Sequence, residues 1–103
     1  MPRDYSDKFL LELSQQDESK LGIRLARLCV KANLPAAFAA VALETSPTTV
    51  YGWFRGRSIR EQKYKIVEVL IDFINEGLSS GRLPASSRND AKTYIKEITG
   101  ITI

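Results

Sequence analysis

The sequence of 103 residues contains no histidine and only one cysteine, Cys29. A single cysteine cannot form an internal disulfide, and structural zinc sites are built from clusters of cysteine and histidine. Histidine is also the commonest general base in enzymes. No nucleophile with a nearby base stands out, and the glycine stretch at 77–81 is too short and lacks the lysine of a P-loop. We therefore expect a protein that is not an enzyme and has neither a metal site nor a cofactor.

Long apolar runs are absent as well. No stretch approaches the roughly 20 apolar residues that span a bilayer, and the N-terminal MPRDYSDK lacks the charged-then-apolar layout of a signal peptide. Hydrophobic residues make up 44% of the chain and charged residues 26%, which is ordinary for a globular protein. The length suits one domain and is too short for two independent cores. These features predict a cytoplasmic protein that does not act at a membrane.

The positive charge is concentrated in the middle of the chain, although the net charge is only +3. Residues 1–19 have a net charge of −3, and residues 66–103 have a net charge of −1. Residues 20–65 contain nine basic and two acidic side chains, which is a net charge of +7. Such a concentration suits a polyanion such as nucleic acid. A solvated basic face would have the same composition, so charge alone leaves both interpretations open.

Helical periodicity dominates the sequence, and no segment shows sustained strand alternation. We predict an all-α fold, a compact bundle of five to six helices. Asn33 is the expected cap of the third helix, and Ser58 with Glu61 matches the capping box that opens the fifth. The predicted helical segments are 6–14, 20–32, 35–44, 47–56, 58–75 and 87–98, with a loop at 77–87.

The fifth predicted helix is apolar on two sides. A helix of this kind must be covered on both sides. The N-terminal helix and a partner subunit are the two candidates for the second cover. One apolar face consists of Val67, Leu70, Ile71, Ile74 and Leu78, and the other of Ile66, Val69 and Phe73.

The stretch TSPTTVYGWFRGRS, residues 45–58, combines a small polar start with a basic end. Ser46 is a good N-cap, and Pro47 suits the first helical position, where its missing N–H leaves no bond unmade. Gly56 can close the helix in a left-handed conformation. A helix that only filled a core would need neither the polar start nor the basic end. A buried stripe at helical spacing is predicted for Val50, Trp53 and Phe54.

Two short helices joined by a tight turn, the second beginning Ser-Pro-Thr-Thr-Val, resemble the helix-turn-helix of lambda-repressor-like DNA-binding domains. The stretch LGIRLARLCVKANL is similar to the family's first helix, and the helix after Ser58 is similar to its fourth. The resemblance implies an N-terminal helical extension at 1–19, a helix-turn-helix domain at 20–76, and a loop with a C-terminal helix for packing or dimerisation at 77–103. The matching residues are Ala40, Leu43, Val50 and Trp53, together with the WFRG ending at 53–56.

Three positions depart from the pattern of this family. Glu44 occupies the turn position that is usually glycine, so it must take a left-handed or adjusted backbone conformation. Thr45 is more polar than the residue usually found there. Gly52 lies inside the second helix of the pair and should weaken it by about 1 kcal/mol relative to alanine. These positions bear on the geometry of the turn and leave the overall arrangement unchanged.

The resemblance implies that the second helix of the pair is a recognition helix, which enters the major groove with its N-terminal residues nearest the base edges. Threonine can hydrogen-bond to bases or phosphates and offers a methyl group to thymine. Free N–H groups at a helix start can bind a phosphate. The arginines are expected along the DNA backbone, where they position the protein rather than specify sequence. The predicted DNA-binding residues are Ser46, Pro47, Thr48, Thr49, Tyr51, Gly52, Arg55, Arg57 and Arg60.

Several residues also have a purely structural interpretation. The two threonines at 48 and 49 would also suit a solvated first turn. Tyr51 is either a DNA-facing residue or a surface aromatic packed on a neighbour, and Gly52 permits close approach either of DNA or of another helix. Cys29 is expected to be a buried small hydrophobic residue. A solvated basic face is expected for Arg24, Arg27 and Lys31.

These observations predict a sequence-specific DNA-binding protein, a small transcriptional regulator of the kind that phages and mobile elements encode. A single helix-turn-helix reads few base pairs, so we expect a homodimer on double-stranded DNA, with the helices at 63–78 and 87–98 as candidate dimer surfaces. One alternative is a protein-interaction module that binds host transcription machinery, which the acidic N-terminal segment favours. Another is a DNA-packaging or replication accessory protein that oligomerises on DNA.

Overall fold

The computed structural model describes residues 5–103 and contains six α-helices and no β-strand within that range. This confirms the predicted all-α fold. No single described helix is long and apolar enough to cross a membrane; the combination that reaches the required length and composition is the helix pair Leu21–Lys31 and Ala36–Ala42, which is bent by 119°. The helices are α1 (Asp7–Ser14), α2 (Leu21–Lys31), α3 (Ala36–Ala42), α4 (Pro47–Phe54), α5 (Glu61–Ser80) and α6 (Arg88–Thr99).

Serine side chains start three of these helices. Ser6, Ser46 and Ser87 precede α1, α4 and α6, and each hydroxyl oxygen accepts the backbone N–H three residues further along. A cap of this kind satisfies one of the N–H groups that the first turn of a helix leaves without a partner. In α4 the first helical residue is Pro47, which has no N–H to satisfy. The predicted starts of these three helices are therefore confirmed.

The predicted bounds of α5 are wrong at both ends. The helix begins at Glu61 after Arg60, which makes no side-chain cap bond, so Ser58 does not form the expected capping box. The helix also continues to Ser80 and closes at Gly81, whose φ of 83° is left-handed. A Cβ at Gly77 would lie 2.8 Å from the side chain of Leu83. Gly77 therefore permits close packing inside the helix instead of ending it, and the loop predicted from 77 begins at Gly81.

Asn33 does not cap α3, contrary to the prediction. Pro35 precedes that helix and makes no side-chain cap bond. Asn33 instead has a left-handed φ of 57°, which asparagine tolerates better than most residues. Its Nδ2 donates to the carbonyl of Ala85 at 2.8 Å, and the N–H of Ala85 donates to the carbonyl of Ala32 at 2.9 Å. Asn33 thus ties the turn between α2 and α3 to the segment before α6.

One hydrophobic core joins all six helices. Within it, α2 packs against α1, α4 and α5, while α3 packs against α4 and α6. Cys29 on α2 is fully buried, as predicted. Burial raises the pKa of the Cys29 thiol to about 12. The thiol is therefore protonated at neutral pH and serves as an apolar packing group.

The N-terminal segment packs beside α4 and leaves the second apolar row of α5 uncovered. The ring of Phe54 on α4 lies 6.4 Å from the ring of Tyr5 and 6.3 Å from that of Phe9, measured between centroids. The second row of α5 remains accessible, with Val69 43% and Phe73 40% exposed. The N-terminal helix was one of two elements expected to pack on this row. It does not cover the row.

Candidate nucleic-acid interface

The inner face of α4 is held firmly by the core. Val50, Trp53 and Phe54 are each at most 4% exposed, which confirms the predicted buried stripe. The backbone of α4 also lies directly against α2, because a Cβ at Gly22 would be only 2.6 Å from the carbonyl oxygen of Trp53. A methyl group cannot be accommodated that close to a backbone atom. The absence of a side chain at Gly22 therefore sets how closely α4 approaches α2.

The turn that leads into α4 contains a left-handed glutamate. Glu44 has a φ of 55°, as expected for a residue in a position that favours glycine. This conformation costs about 1–2 kcal/mol for a residue with a Cβ. Lys63 on α5 offsets part of that cost, because its Nζ donates to the carbonyls of Leu43 at 3.1 Å and Glu44 at 3.2 Å. The turn is thus stabilised by a residue almost twenty positions away in the sequence.

The outer face of α4 is polar and accessible. Thr48, Tyr51, Gly52 and Arg55 recur at the spacing of one helical face, and together with Arg57 they line a shallow depression of about 580 Å³. Tyr51 is 36% exposed. It also makes an edge contact with Phe54 at 6.3 Å. The two interpretations of Tyr51 are therefore both partly realised: one edge packs and the rest faces solvent.

Arg57 returns to this face although it follows the helix in sequence. Its N–H donates to the carbonyl of Gly52 at 3.0 Å. The positive φ of Gly56, 102°, lets the chain turn back in this way. The nearest atoms to a Cβ placed at Gly52 would be Cδ, Nε and Cζ of Arg57, at 3.4–3.7 Å. Gly52 therefore leaves room for the Arg57 side chain and not, as the packing interpretation expected, for another helix.

Other predicted residues surround this depression without lining it. Ser46 and Thr49 bind each other: the Ser46 hydroxyl accepts the Thr49 N–H, and the two hydroxyl oxygens lie 3.0 Å apart. Pro47 is exposed at the start of the helix, and Arg60 is exposed just before α5. The N–H of Thr48 faces the open end of α4 without a hydrogen-bond partner in the described part of the chain. It is the backbone donor that this helix start leaves for a ligand.

The basic side chains of residues 20–65 divide into two groups. Three of them bind backbone carbonyls: Lys63 as above, Lys20 at Gly56, and Arg27 at the end of α1. Positive charge at a helix C-terminus is favourable because the free carbonyls point there. Arg27 also pairs with Glu18, so the predicted solvated face does not include it. The basic side chains that remain exposed are Arg24, Lys31, Arg55, Arg57, Arg60 and Lys65.

A second depression adjoins the first, and the sequence did not indicate it. Its volume is about 320 Å³, and its lining includes Lys20, Ser58, Tyr64 and Arg57. Lys20 reaches this place because its Nζ donates to the carbonyl of Gly56 at 3.3 Å, across 36 positions of sequence. Tyr64 is 43% exposed. No local pattern identifies these residues, because tertiary packing alone brings the start of α2 beside the end of α4.

The described residues hold no group of three or more histidine, cysteine, aspartate or glutamate side chains that could bind a metal ion. Comparisons with protein-family models, with curated proteins and with solved structures found no match to this chain.

Proposed function

We propose that this chain is a sequence-specific DNA-binding protein in which α3 and α4 form a helix-turn-helix and α4 enters the major groove. The observation that carries the proposal is the pairing of a buried inner face of α4 with an outer face that gathers hydroxyl, phenol and guanidinium groups. Groups of these types contact base edges and phosphates. A protein of this size and architecture suits a transcriptional regulator that binds double-stranded DNA as a homodimer.

The N-terminal half of α4 is suited to contact base edges. Thr48 has a short side chain that lets the helix lie deep in the groove, and its hydroxyl and methyl groups can contact bases and the thymine methyl. Tyr51 follows one turn later on the same face. Ser46 and Thr49, whose hydroxyls are engaged in the cap, contribute mainly by fixing the start of the helix.

The arginines and the helix start are suited to hold the DNA backbone. Arg55 and Arg57 lie at the C-terminal end of the depression, and Arg60 follows beyond them. Guanidinium groups form paired hydrogen bonds with phosphate oxygens. The unpaired N–H of Thr48 adds a donor at the opposite end of α4. Contacts at both ends of a helix would fix its depth and register in the groove.

The test is fluorescence anisotropy with a mixed-sequence duplex, measured at several salt concentrations for wild type and Arg55→Ala. Loss of one phosphate contact should reduce the slope of log K against log salt by about 0.9. Affinity should fall by a similar factor on all sequences, because a phosphate contact does not read bases. Lys96→Ala, which removes one exposed positive charge from α6, is the matched control and should leave the slope unchanged.

Two outcomes would count against the proposal. Equal slopes for wild type and Arg55→Ala would remove this face of α4 from the DNA interface. No binding to any duplex at low salt would contradict the proposed DNA binding. It would leave the helical fold unaffected and favour the alternative of a protein-interaction module.

A further inference from the structure

The turn between α3 and α4 contains two carbonyl groups that the backbone leaves without a donor. The N–H of Thr45 donates back to the carbonyl of Ala40 at 3.1 Å and closes the end of α3, while Ser46 caps α4. In the described part of the chain, no backbone N–H donates to the carbonyls of Leu43 or Glu44. A carbonyl group removed from water is costly to leave without a partner. These two groups therefore depend on a donor from another element.

Lys63 on α5 is that donor. Its Nζ donates to the carbonyl of Leu43 at 3.1 Å and to that of Glu44 at 3.2 Å. An ammonium group has three protons and can serve both oxygens. Lys63 forms no ion pair among the described residues and lines neither of the two basic depressions. Since Val67 and Leu70 fix α5 in the core, the lysine joins a rigid helix to the turn.

The contact holds the backbone of Glu44 in a conformation that it would not adopt by itself. The φ of Glu44 is 55°, in the left-handed region, which glycine enters without a steric penalty and glutamate does not. Residues in such conformations persist when the surrounding structure enforces them. Without Lys63, the backbone at Glu44 can relax, and the direction in which the chain enters α4 changes.

The two ends of α4 are held in different ways. At the C-terminal end, Trp53 and Phe54 are buried, and the backbone of Trp53 lies against Gly22. At the N-terminal end, Thr48 is exposed and the first core contact is Val50. The position of the N-terminal end is therefore set largely by the turn. This is the end to which the proposed function assigns contact with base edges.

We infer that Lys63 is a positioning residue for base recognition: through the two turn carbonyls it fixes the N-terminal end of α4, and with it Thr48, without contacting DNA itself. Binding groups have to be held to within about 0.5 Å of their productive positions, so a loosened turn weakens base contacts. The inference rests on the proposed function for its effect on DNA. Its structural part is measured in the free protein, so the two can fail separately.

The first experiment is amide hydrogen exchange, followed by NMR, on the free full-length chain. Lys63→Met keeps a long side chain but removes the donor. It should speed exchange at the amides of Thr45 and Val50 by about tenfold and leave that of Arg55, at the far end of α4, unchanged. Lys65→Met is the matched control, because Lys65 is exposed on the same helix and makes no hydrogen bond or ion pair among the described residues. Unchanged exchange in Lys63→Met, or an equal increase at all three amides, would overturn the inference.

The second experiment compares two duplexes by fluorescence anisotropy: the one that wild type selects from a random library, and one of mixed sequence. Lys63→Met should lower affinity for the selected duplex by about tenfold and for the mixed one by less than about twofold, because base contacts alone are misplaced. Lys65→Met should leave the ratio of the two affinities unchanged.

Three outcomes of this experiment are decisive. A wild-type ratio in Lys63→Met would overturn the inference. Equal losses on both duplexes, with the salt slope reduced by about 0.9, would make Lys63 a phosphate contact and would also overturn it. If wild type binds no duplex, the proposed function fails, and the exchange experiment still decides whether Lys63 positions α4.

A rescue tests whether Lys63 acts through the turn. Glu44→Gly, added to Lys63→Met, should restore most of the exchange protection and of the affinity ratio, because glycine adopts the left-handed conformation without help. Glu44→Gln removes the same charge but keeps the Cβ, so it should restore neither. Lys63→Arg retains the donors and should stay within about twofold of wild type. Lys63→Gln, a milder change, replaces Lys63→Met should the latter not fold. Rescue by both substitutions at Glu44, or by neither, would overturn the inference.

Discussion

The two faces of α4 differ in almost every physical respect although the helix has only eight residues. The inner face is aromatic and aliphatic, is excluded from water, and touches the backbone of α2 through Gly22. The outer face is polar and basic, and Gly52 opens it to the side chain of Arg57. Each face thus depends on one glycine. Gly22 of α2 allows the inner face to approach α2 closely, and Gly52 leaves room for Arg57 on the outer face.

Exposure and composition together distinguish the scaffold from the candidate site. Val69 and Phe73 in the second apolar row of α5 are 43% and 40% exposed, comparable to 36% for Tyr51 on the outer face of α4, but they are apolar. A polar, basic outer face suits a polyanion, whereas an exposed apolar row suits a second protein surface. Substitutions on the two faces of α4 should therefore affect different measurements.

The largest effect is expected at Trp53 on the inner face. Trp53→Ala should lower the free energy of unfolding by about 3–5 kcal/mol, because it removes a large buried side chain and leaves a cavity. Urea denaturation would measure this. Tyr51→Ala, two positions away on the outer face, should change stability by less than about 1 kcal/mol and lower the affinity for duplex DNA. Similar losses of stability in both variants would erase the distinction between the faces.

The two glycines should respond to alanine with opposite signs. Gly22→Ala places a methyl group 2.6 Å from the carbonyl oxygen of Trp53 and should cost about 1–3 kcal/mol of stability. Gly52→Ala meets a flexible side chain at 3.4 Å and should stabilise the helix by up to about 1 kcal/mol. It should nevertheless weaken DNA binding, because the new methyl group lies against the Arg57 side chain and restricts its conformations.

Both properties of the Gly52 variant can be measured on one preparation, by denaturation and by anisotropy. The Arg57→Ala variant serves as the reference: adding Gly52→Ala to it should cause little further loss of affinity, because the side chain that the new methyl group would restrict is already gone. Additive losses in the double variant would mean that Gly52 acts independently of Arg57.

The smallest effect on total affinity is expected at Thr48. Thr48→Ala removes one hydroxyl and one methyl group from an exposed position, so stability should change by less than about 0.5 kcal/mol. Preference among base pairs at one position of the site should change more than affinity for mixed-sequence DNA. Selection from a random duplex library would report this. A preference profile identical to that of wild type would leave Thr48 with no part in sequence recognition.

Much of the scaffold could be predicted because its signals are local. The helix starts near Ser6 and Ser87, the cap at Ser46, the proline at the start of α4 and the buried stripe of that helix each depend on neighbours within one turn. The predictions were wrong where a residue makes a contact with a residue distant in the sequence instead of the local role that its type suggests. Composition predicts a loop from Gly77, yet Gly77 lies within α5 and packs against Leu83; Asn33 is predicted as a cap, yet its side chain binds Ala85.

The basic segment illustrates the same limit within the candidate site. Sequence composition identifies nine positive charges between residues 20 and 65, yet it cannot tell which of them face solvent. Lys20, Arg27 and Lys63 bind carbonyl groups at the ends of helices that lie elsewhere in the chain. Tyr64 and Lys20 were not predicted as part of the site, because they reach Arg57 only after α2, α4 and α5 have packed.

The all-α fold, the order of its helices and the two contrasting faces of α4 follow from the amino-acid sequence alone, because periodicity and capping act over three or four residues. The tertiary structure determines which basic side chains bind carbonyls at helix ends and which side of α5 remains exposed. It also determines how Arg57 returns to the outer face of α4. Those outcomes depend on contacts between residues that are far apart in sequence, and their energies exist only once the core has formed.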